Sequence, residues 1–266
     1  MKKQKAPFAS FIIEPPYFSN WADQVYPKLA NKLLPVATKV PGLTPNIVTI
    51  SSFVLYVLAC LALFINFPYH LIFTAIALPI AYIFDCLDGQ LARTTKHSSV
   101  IGDYLDKTLD VLKIYVITIS LSIATFMQTQ QVLYIFLGFT ACFFFNFRYY
   151  IKLETMFSAV SRDKDYLMKS REKRYELYEE FGNKYKTWSK TFGGKIKMFL
   201  HKNRAIFAVD EAEFVTFTAI AALFNQLGVV LWIFAISQTG FAFWRLYERG
   251  AQIQKFSDRL FWPMRK

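Results

Sequence analysis

Two apolar runs, about Tyr69–Asp88 and Asp103–Met127, are joined by one short polar loop. From Asp85 to Asp110 the junction reads DCLDGQLARTTKHSSVIGDYLDKTLD. It sets Asp85, Asp88, Asp106 and Asp110 at the ends of segments that are otherwise poor in charge. A run of about 20 apolar residues is long enough to cross the hydrocarbon core of a bilayer. With 54% of its residues hydrophobic and 18% aromatic, the chain is too apolar for an ordinary soluble domain. The expected fold is therefore an all-α membrane protein, with four carboxylates where the membrane meets water.

Six spanning helices are predicted, at about Asn46–Ile65, Tyr69–Asp88, Asp103–Met127, Gln131–Ile151, Glu213–Asn225 and Gln226–Tyr247. The fifth is short unless its N-terminal flank is included. Of 31 Lys and Arg, six lie in residues 1–45, four between Arg93 and Lys113, fifteen between Arg148 and Arg204, and six from Arg245 onward. The connectors around Asn66–His70, Met127–Gln131 and Asn225–Gly228 hold none. Six spans with both termini on the basic side reproduce this split, and the positive-inside rule makes that side cytoplasmic. The net charge of +12 is then explained by cytoplasmic loops and anionic headgroups, with no nucleic acid as partner.

Four segments follow. Residues 1–45 form a cytoplasmic N-terminal segment without the continuous apolar core of a signal peptide. Within it, Trp21, Val25, Leu29, Leu33, Val36 and Val40 recur at near-helical spacing among Lys28, Lys32 and Lys39. This predicts an amphipathic helix lying in the interface, with Trp21 and Tyr26 at headgroup level. Pro27 and Pro35 can split it, and a loop packed on the membrane domain is the other reading. Residues 46–151 hold spans one to four. Residues 152–212 form a polar cytoplasmic insertion, helical in composition from Glu154 to about Lys190 and broken at Gly193-Gly194. A solvated helical insertion, a lid and a partner-binding segment are its three readings. Residues 213–266 hold spans five and six and a basic tail. Cys60, Cys86 and Cys142 have no metal-ligand spacing and are expected to be small buried hydrophobes.

On helices, Asp85 and Asp88 share one face, and so do Asp106 and Asp110. Two helices joined by a short loop lie side by side, so these faces converge. Four ionised carboxylates in one partly desolvated spot repel one another until protons or a cation neutralise them. With Gly89 ending span two, Asp85 and Asp88 would meet the negative end of a helix dipole and need positive charge most. Arg93 and Lys113 are candidates. An all-oxygen cluster also suits Mg²⁺ or Mn²⁺, and such ions suit phosphate chemistry.

The order is Asp88-Gly89, two residues, Ala92-Arg93, eight residues, Gly102, three residues, Asp106, three residues, Asp110, with Asp85 upstream. This resembles the signature of the CDP-alcohol phosphotransferase family at every fixed position and gap. The resemblance implies transfer of a phospho-alcohol unit from a CDP-alcohol to a second alcohol, with release of CMP. It implies two divalent ions held by Asp85, Asp88, Asp106 and Asp110, with Asp110 also the general base. It implies that Gly89 and Ala92 let the nucleotide approach and that Arg93 contacts the donor's phosphates, with Gly102 the signature's second glycine. The segment LTPNIVT resembles a family pattern too: Asn46 and Thr49 either reach the donor's phosphate or ribose, or cap the helix. Outside the signature, Asp103 is expected to cap span three or stand behind the site. Lys113 pairs with Asp106 or Asp110, or snorkels to the interface. Arg148 is an acceptor or phosphate contact, or a topology anchor; Lys152 and Arg204 are further basic candidates, and His97 a loop residue. Many relatives carry a basic residue where this chain has Val111.

The reading is a membrane transferase of phospholipid biosynthesis. Its donor is a CDP-alcohol, CDP-diacylglycerol first, and its acceptor an alcohol of open identity. The bilayer is a partner, and a homodimer is expected by family analogy. One alternative keeps the chemistry with a soluble CDP-choline-like donor and a lipid or polyol acceptor. A cation transporter is the other, but the carboxylates sit at one surface rather than at the midplane.

Overall fold

A computed structural model describes residues 21–65, 67–96, 99–166, 168, 182–184, 187–196 and 209–255, except the side chains of Trp21, Asp23, Arg162 and 251–255. The described residues contain no strand. Among the described residues, the main helices are α1 (Trp21–Ala37), α2 (Pro45–Leu61), α3 (His70–Thr95), α4 (Val100–Thr129), α5 (Leu133–Arg162), α6 (Glu211–Leu223) and α7 (Leu227–Lys255). Among the described residues, three stretches are long and apolar enough to cross a membrane: His70–Thr95, Val100–Thr129 and Leu227–Gly250. At 1.5 Å per residue, the 17 residues of α2 reach about 26 Å and the 13 of α6 only about 20 Å. α5 has 30 residues and carries charge from Arg148 onward, continuing past Ile151 into the polar segment.

Helix starts follow local chemistry. Thr44 caps α2, accepting from the Ile47 N–H, and Pro45 takes the first helical position, where no N–H is needed. Ser99 caps α4, accepting from the Gly102 N–H at 3.0 Å. Caps at these two positions leave neither Asn46 nor Asp103 in a capping role. Asp103 instead pairs with Lys107 at 2.6 Å on the exposed surface.

α3 packs against α1, α2 and α6, while α4 packs against α2, α5 and α7, and α5 lies along α7. Tyr56 and Cys60 of α2, Leu78 of α3, Ile117 and Leu121 of α4, Phe214 of α6 and Phe234 of α7 meet in the main core. The α2–α3 seam uses small residues, Ala59, Ala77 and Ala81, which let the backbones approach. Two side-chain bonds cross it: Ser52 Oγ to Ala81 O at 2.9 Å and Thr74 Oγ1 to Ala59 O at 2.8 Å. The outward faces are apolar, with Ile50, Val54 and Leu58 on α2, Ile72 and Ile76 on α3, and Ile233 and Ile236 on α7 all exposed. Apolar faces of this kind suit contact with lipid rather than water.

α1 is the expected helix, unbroken, with Pro27 and Pro35 inside it. The helix is docked on the bundle: Gln90 Nε2 donates to Pro27 O at 2.8 Å, and the buried Ala22 and Ala30 face the bundle. Tyr26 is buried against the bundle, with its hydroxyl 2.8 Å from Thr216 Oγ1. Val25, Leu29, Leu33, Val36 and Val40 form the outward apolar stripe; the side chain of Trp21 lies outside the described residues. Finally, Gly89 does not end the second span. α3 runs on to Thr95 and stops at Lys96, which takes the left-handed cap at φ 57. A mid-helix glycine costs only about 1 kcal/mol, less than the loss of the contacts made by Leu91 in the cluster with Ala30, Val48 and Leu87.

Gly138 of α5 sets the α4–α5 spacing. A Cβ there would lie 1.6 Å from Ser122 Oγ and 3.1 Å from Thr118 O. Gly138→Val is expected to destabilise by about 1–3 kcal/mol through overpacking. A thermal melt of the detergent-solubilised protein checks this; an unchanged midpoint would mean a looser α4–α5 contact.

Candidate active site

The site lies where α3 and α4 leave their shared loop. Asp85 and Asp88 come from α3, and Asp106 and Asp110 from α4. Asp85, Asp88 and Asp106 each offer a carboxylate oxygen, and these atoms lie within 4.8 Å of one another. Asp88 is buried at 6% exposure, while Asp85 and Asp106 are half-buried. Hard oxygen donors at this spacing fit a divalent cation such as Mg²⁺ or Mn²⁺. The helix-dipole argument for Asp85 and Asp88 does not survive, because α3 extends a further seven residues beyond Asp88 and the dipole acts mainly in the last turn. Burial and mutual repulsion supply the demand for positive charge.

A second oxygen cluster adjoins the first. Asp85, Asp110 and Glu211 also bring carboxylate oxygens within 4.8 Å. Here the cation is protein-borne. Lys113 Nζ lies 2.6 Å from Asp85 Oδ1, 2.9 Å from Asp110 Oδ1 and 3.3 Å from Glu211 Oε1, and the side chain is 1% exposed. Lys113 thus meets Asp110, one of its two expected partners, and it does not snorkel. Glu211 was missed in the sequence. It stands in the run DEAEF, where Asp210, Glu211 and Glu213 all read as acids at a helix start. Asp210 and Glu213 do serve there as the capping box of α6, but Glu211 turns into the site.

The remaining residues fall into two groups. Thr49 is drawn into the centre, its hydroxyl bonded to Asp88 Oδ2 and also 3.0 Å from Pro45 O. Asn46 is brought to Gly102: a Cβ on that glycine would lie 3.0 Å from Asn46 Oδ1, so the missing side chain permits α2 and α4 to meet at their starts. Gly89 plays a similar part for Arg93, whose Nη1 lies 3.1 Å from where a Cβ of residue 89 would be. Ala92 is half-buried beside an exposed Arg93.

Arg148 belongs to the second group. Its guanidinium bonds Asp210 Oδ1 at 2.7 Å, Gln238 Oε1, and Val209 O at 3.4 Å, and it lies over the rings of Phe145 and Phe241. It ties α5 to α6 and α7. Lys152 sits over the Tyr149 ring at 5.3 Å. Asp103 points to the surface. Arg204 and His97 lie outside the described residues.

The sequence profile of the CDP-alcohol phosphatidyltransferase family matches residues 42–244, more than half the chain. The protein belongs to this family. Its members are transferases of phosphate-containing groups that use a CDP-alcohol donor and an alcohol acceptor, generally with a divalent metal. The archaetidylinositol phosphate synthase of Pyrococcus horikoshii is 38% identical over 71 residues, which are 27% of this chain and 36% of that relative. The chain thus matches little more than a third of that relative's length.

If Asp88 holds the ion, Asp88→Ala removes the most buried ligand. Binding of CDP in the presence of Mn²⁺, followed by calorimetry, is expected to vanish. Retained binding would take Asp88 out of the metal centre.

Proposed function

We propose that this family member is a membrane transferase of phospholipid biosynthesis. It moves a phosphatidyl group from a CDP-diacylglycerol-like donor to the hydroxyl of an acceptor alcohol and releases CMP. The observation that carries this reading is the convergence of Asp85 and Asp88 from α3 and Asp106 from α4 into one oxygen cluster. Asp85, Asp88 and Asp106, with Asp110 beside them, would hold two divalent ions, Mg²⁺ or Mn²⁺. Bound there, the metal would neutralise the donor's diphosphate and stabilise charge on the leaving phosphate.

The chain's own residues supply the rest. Thr49 orients the Asp88 carboxylate through its hydrogen bond. Arg93, exposed at the loop side of the cluster, is placed to meet the donor's phosphates. Asp110 takes the proton of the acceptor hydroxyl as the new P–O bond forms and the bond to CMP breaks. Lys113 engages Oδ1 of Asp110, and the Asp110 side chain is 36% exposed. Both features keep a basic oxygen within reach of an incoming hydroxyl.

A lipid substrate is supported by an apolar groove of about 350 Å³ between α1, α2 and α3. Its lining includes Leu33, Val36, Phe84, and Val48 and Leu87, the chain neighbours of Thr49 and Asp88. The relative's name, a synthase of a lipid phosphate ester of inositol, points the same way. The membrane plan is part of the proposal: six spans comprising α2 to α7, with both termini, the polar segment 152–212 and the aspartate site on the cytoplasmic side, in a homodimer.

Purified protein with Mn²⁺, offered CDP-diacylglycerol and a panel of alcohols, is expected to release CMP with one acceptor class. Asp110→Asn is expected to lower that rate by at least about a hundredfold, the usual size of a general-base contribution, while still binding the donor. No CMP with any donor–acceptor pair would overturn the reading. For topology, reporters fused to either terminus are expected to report the cytoplasm; one terminus outside would leave an odd number of spans.

A further inference from the structure

The proposed reaction gives Glu211 no part, yet Glu211 completes the shell of Lys113. An ammonium that is 1% exposed must be matched by negative charge. The nearest carboxylates besides Glu211 are Asp85 and Asp110, both of which the metal centre needs. If these two alone matched Lys113, a positive charge would stand within hydrogen-bond distance of oxygens that hold a divalent ion. At such separations, in a poorly solvated site, repulsion between like charges is large.

Formal charge decides what Glu211 does. Lys113 and Glu211 sum to zero, and the four aspartates keep all four negative charges for divalent cations. The cluster of Asp85, Asp110 and Glu211 is not a further metal cage, because Lys113 Nζ already lies within 3.3 Å of an oxygen on each of the three. Glu211 is also held in place from outside the site. It is the first residue of α6, directly after Asp210, which Arg148 grips at 2.7 Å. Arg148 is bonded in turn to Gln238 of α7, whose Nε2 donates to Val209 O at 2.6 Å. Helices α5 and α7 therefore deliver the start of α6 to Lys113.

We infer that Glu211 is a positioning residue of the metal centre. It neutralises Lys113, so that Lys113 can orient Asp85 and Asp110 by hydrogen bonds without weakening their hold on divalent cations. The inference rests on the metal site of the proposed function.

The test uses Mn²⁺ alone, titrated into the full chain in lipid nanodiscs, with free Mn²⁺ read by electron paramagnetic resonance. Glu211→Gln is expected to weaken binding by about tenfold or more, because Lys113 becomes an uncompensated charge. Lys113→Met is expected to tighten it, and the double variant to return close to wild type. Opposite signs with mutual rescue are not produced by general damage to the fold. Unchanged affinity in Glu211→Gln, or a double variant as weak as Glu211→Gln, would overturn the inference. Should Glu211→Gln not fold, Lys113→Met decides alone: tighter binding supports the inference, and unchanged or weaker binding overturns it. If the wild type binds no Mn²⁺, the metal centre falls and this inference with it. If the wild type binds and the variants do not respond, only the role of Glu211 falls.

Discussion

A lysine ammonium buried among three carboxylates is the interaction on which this architecture turns. Lys113 draws Asp85 from α3, Asp110 from its own helix and Glu211 from α6 to one point. Removing a charge from water is costly, and only close, well-oriented opposite charge repays it. The three helices are therefore held in register at one end of the bundle by a contact that tolerates little displacement. The apolar core above it is less demanding, since Tyr56, Leu78, Ile117 and Phe234 pack without directional bonds. Packing brings the helices together, and the charged contact selects how they are aligned.

That alignment divides the acidic residues by task. Asp88 and Asp106 share an oxygen cage with Asp85. Asp85 belongs to both clusters, and it couples the cage to the ammonium. In the proposed reaction, Asp110 acts one helical turn from Asp106 on the same helix, close to the oxygen cage. The small residues matter for the same reason. Gly102 permits the contact with Asn46, and Gly89 leaves room for the Arg93 guanidinium to fold back along α3. A side chain at either position would crowd these polar groups.

The polar segment between α5 and α6 also takes on a definite relation to the chemistry. Its far end is clamped at Asp210 by Arg148, next to the residue that touches Lys113. A long insertion returning at that point gives α6 a fixed start, although α6 has only 13 residues. Arg148 looked from its position like a basic group at a membrane edge. In the folded chain its donors are committed to Asp210, Gln238 and a backbone carbonyl.

Much of this was legible in the chain. Periodicity and apolar length marked the helices, because burial in lipid or core forces long runs of one kind of residue. The spacing of Asp85, Asp88, Asp106 and Asp110 placed them on two helix faces, since three- and four-residue intervals are set by the helix itself. Family membership followed from the same local pattern. The stop of α3 was misjudged, because a glycine is only a weak local signal against the packing of Leu91. The burial of Tyr26 was not legible for the same reason: Thr216, which its hydroxyl meets, is far away in sequence. Glu211 is the clearest case. Three acids open α6, and local chemistry makes each of them a helix-start residue. Which one reaches Lys113 depends on how α6 is rotated against α3 and α4, and only the packed bundle decides that.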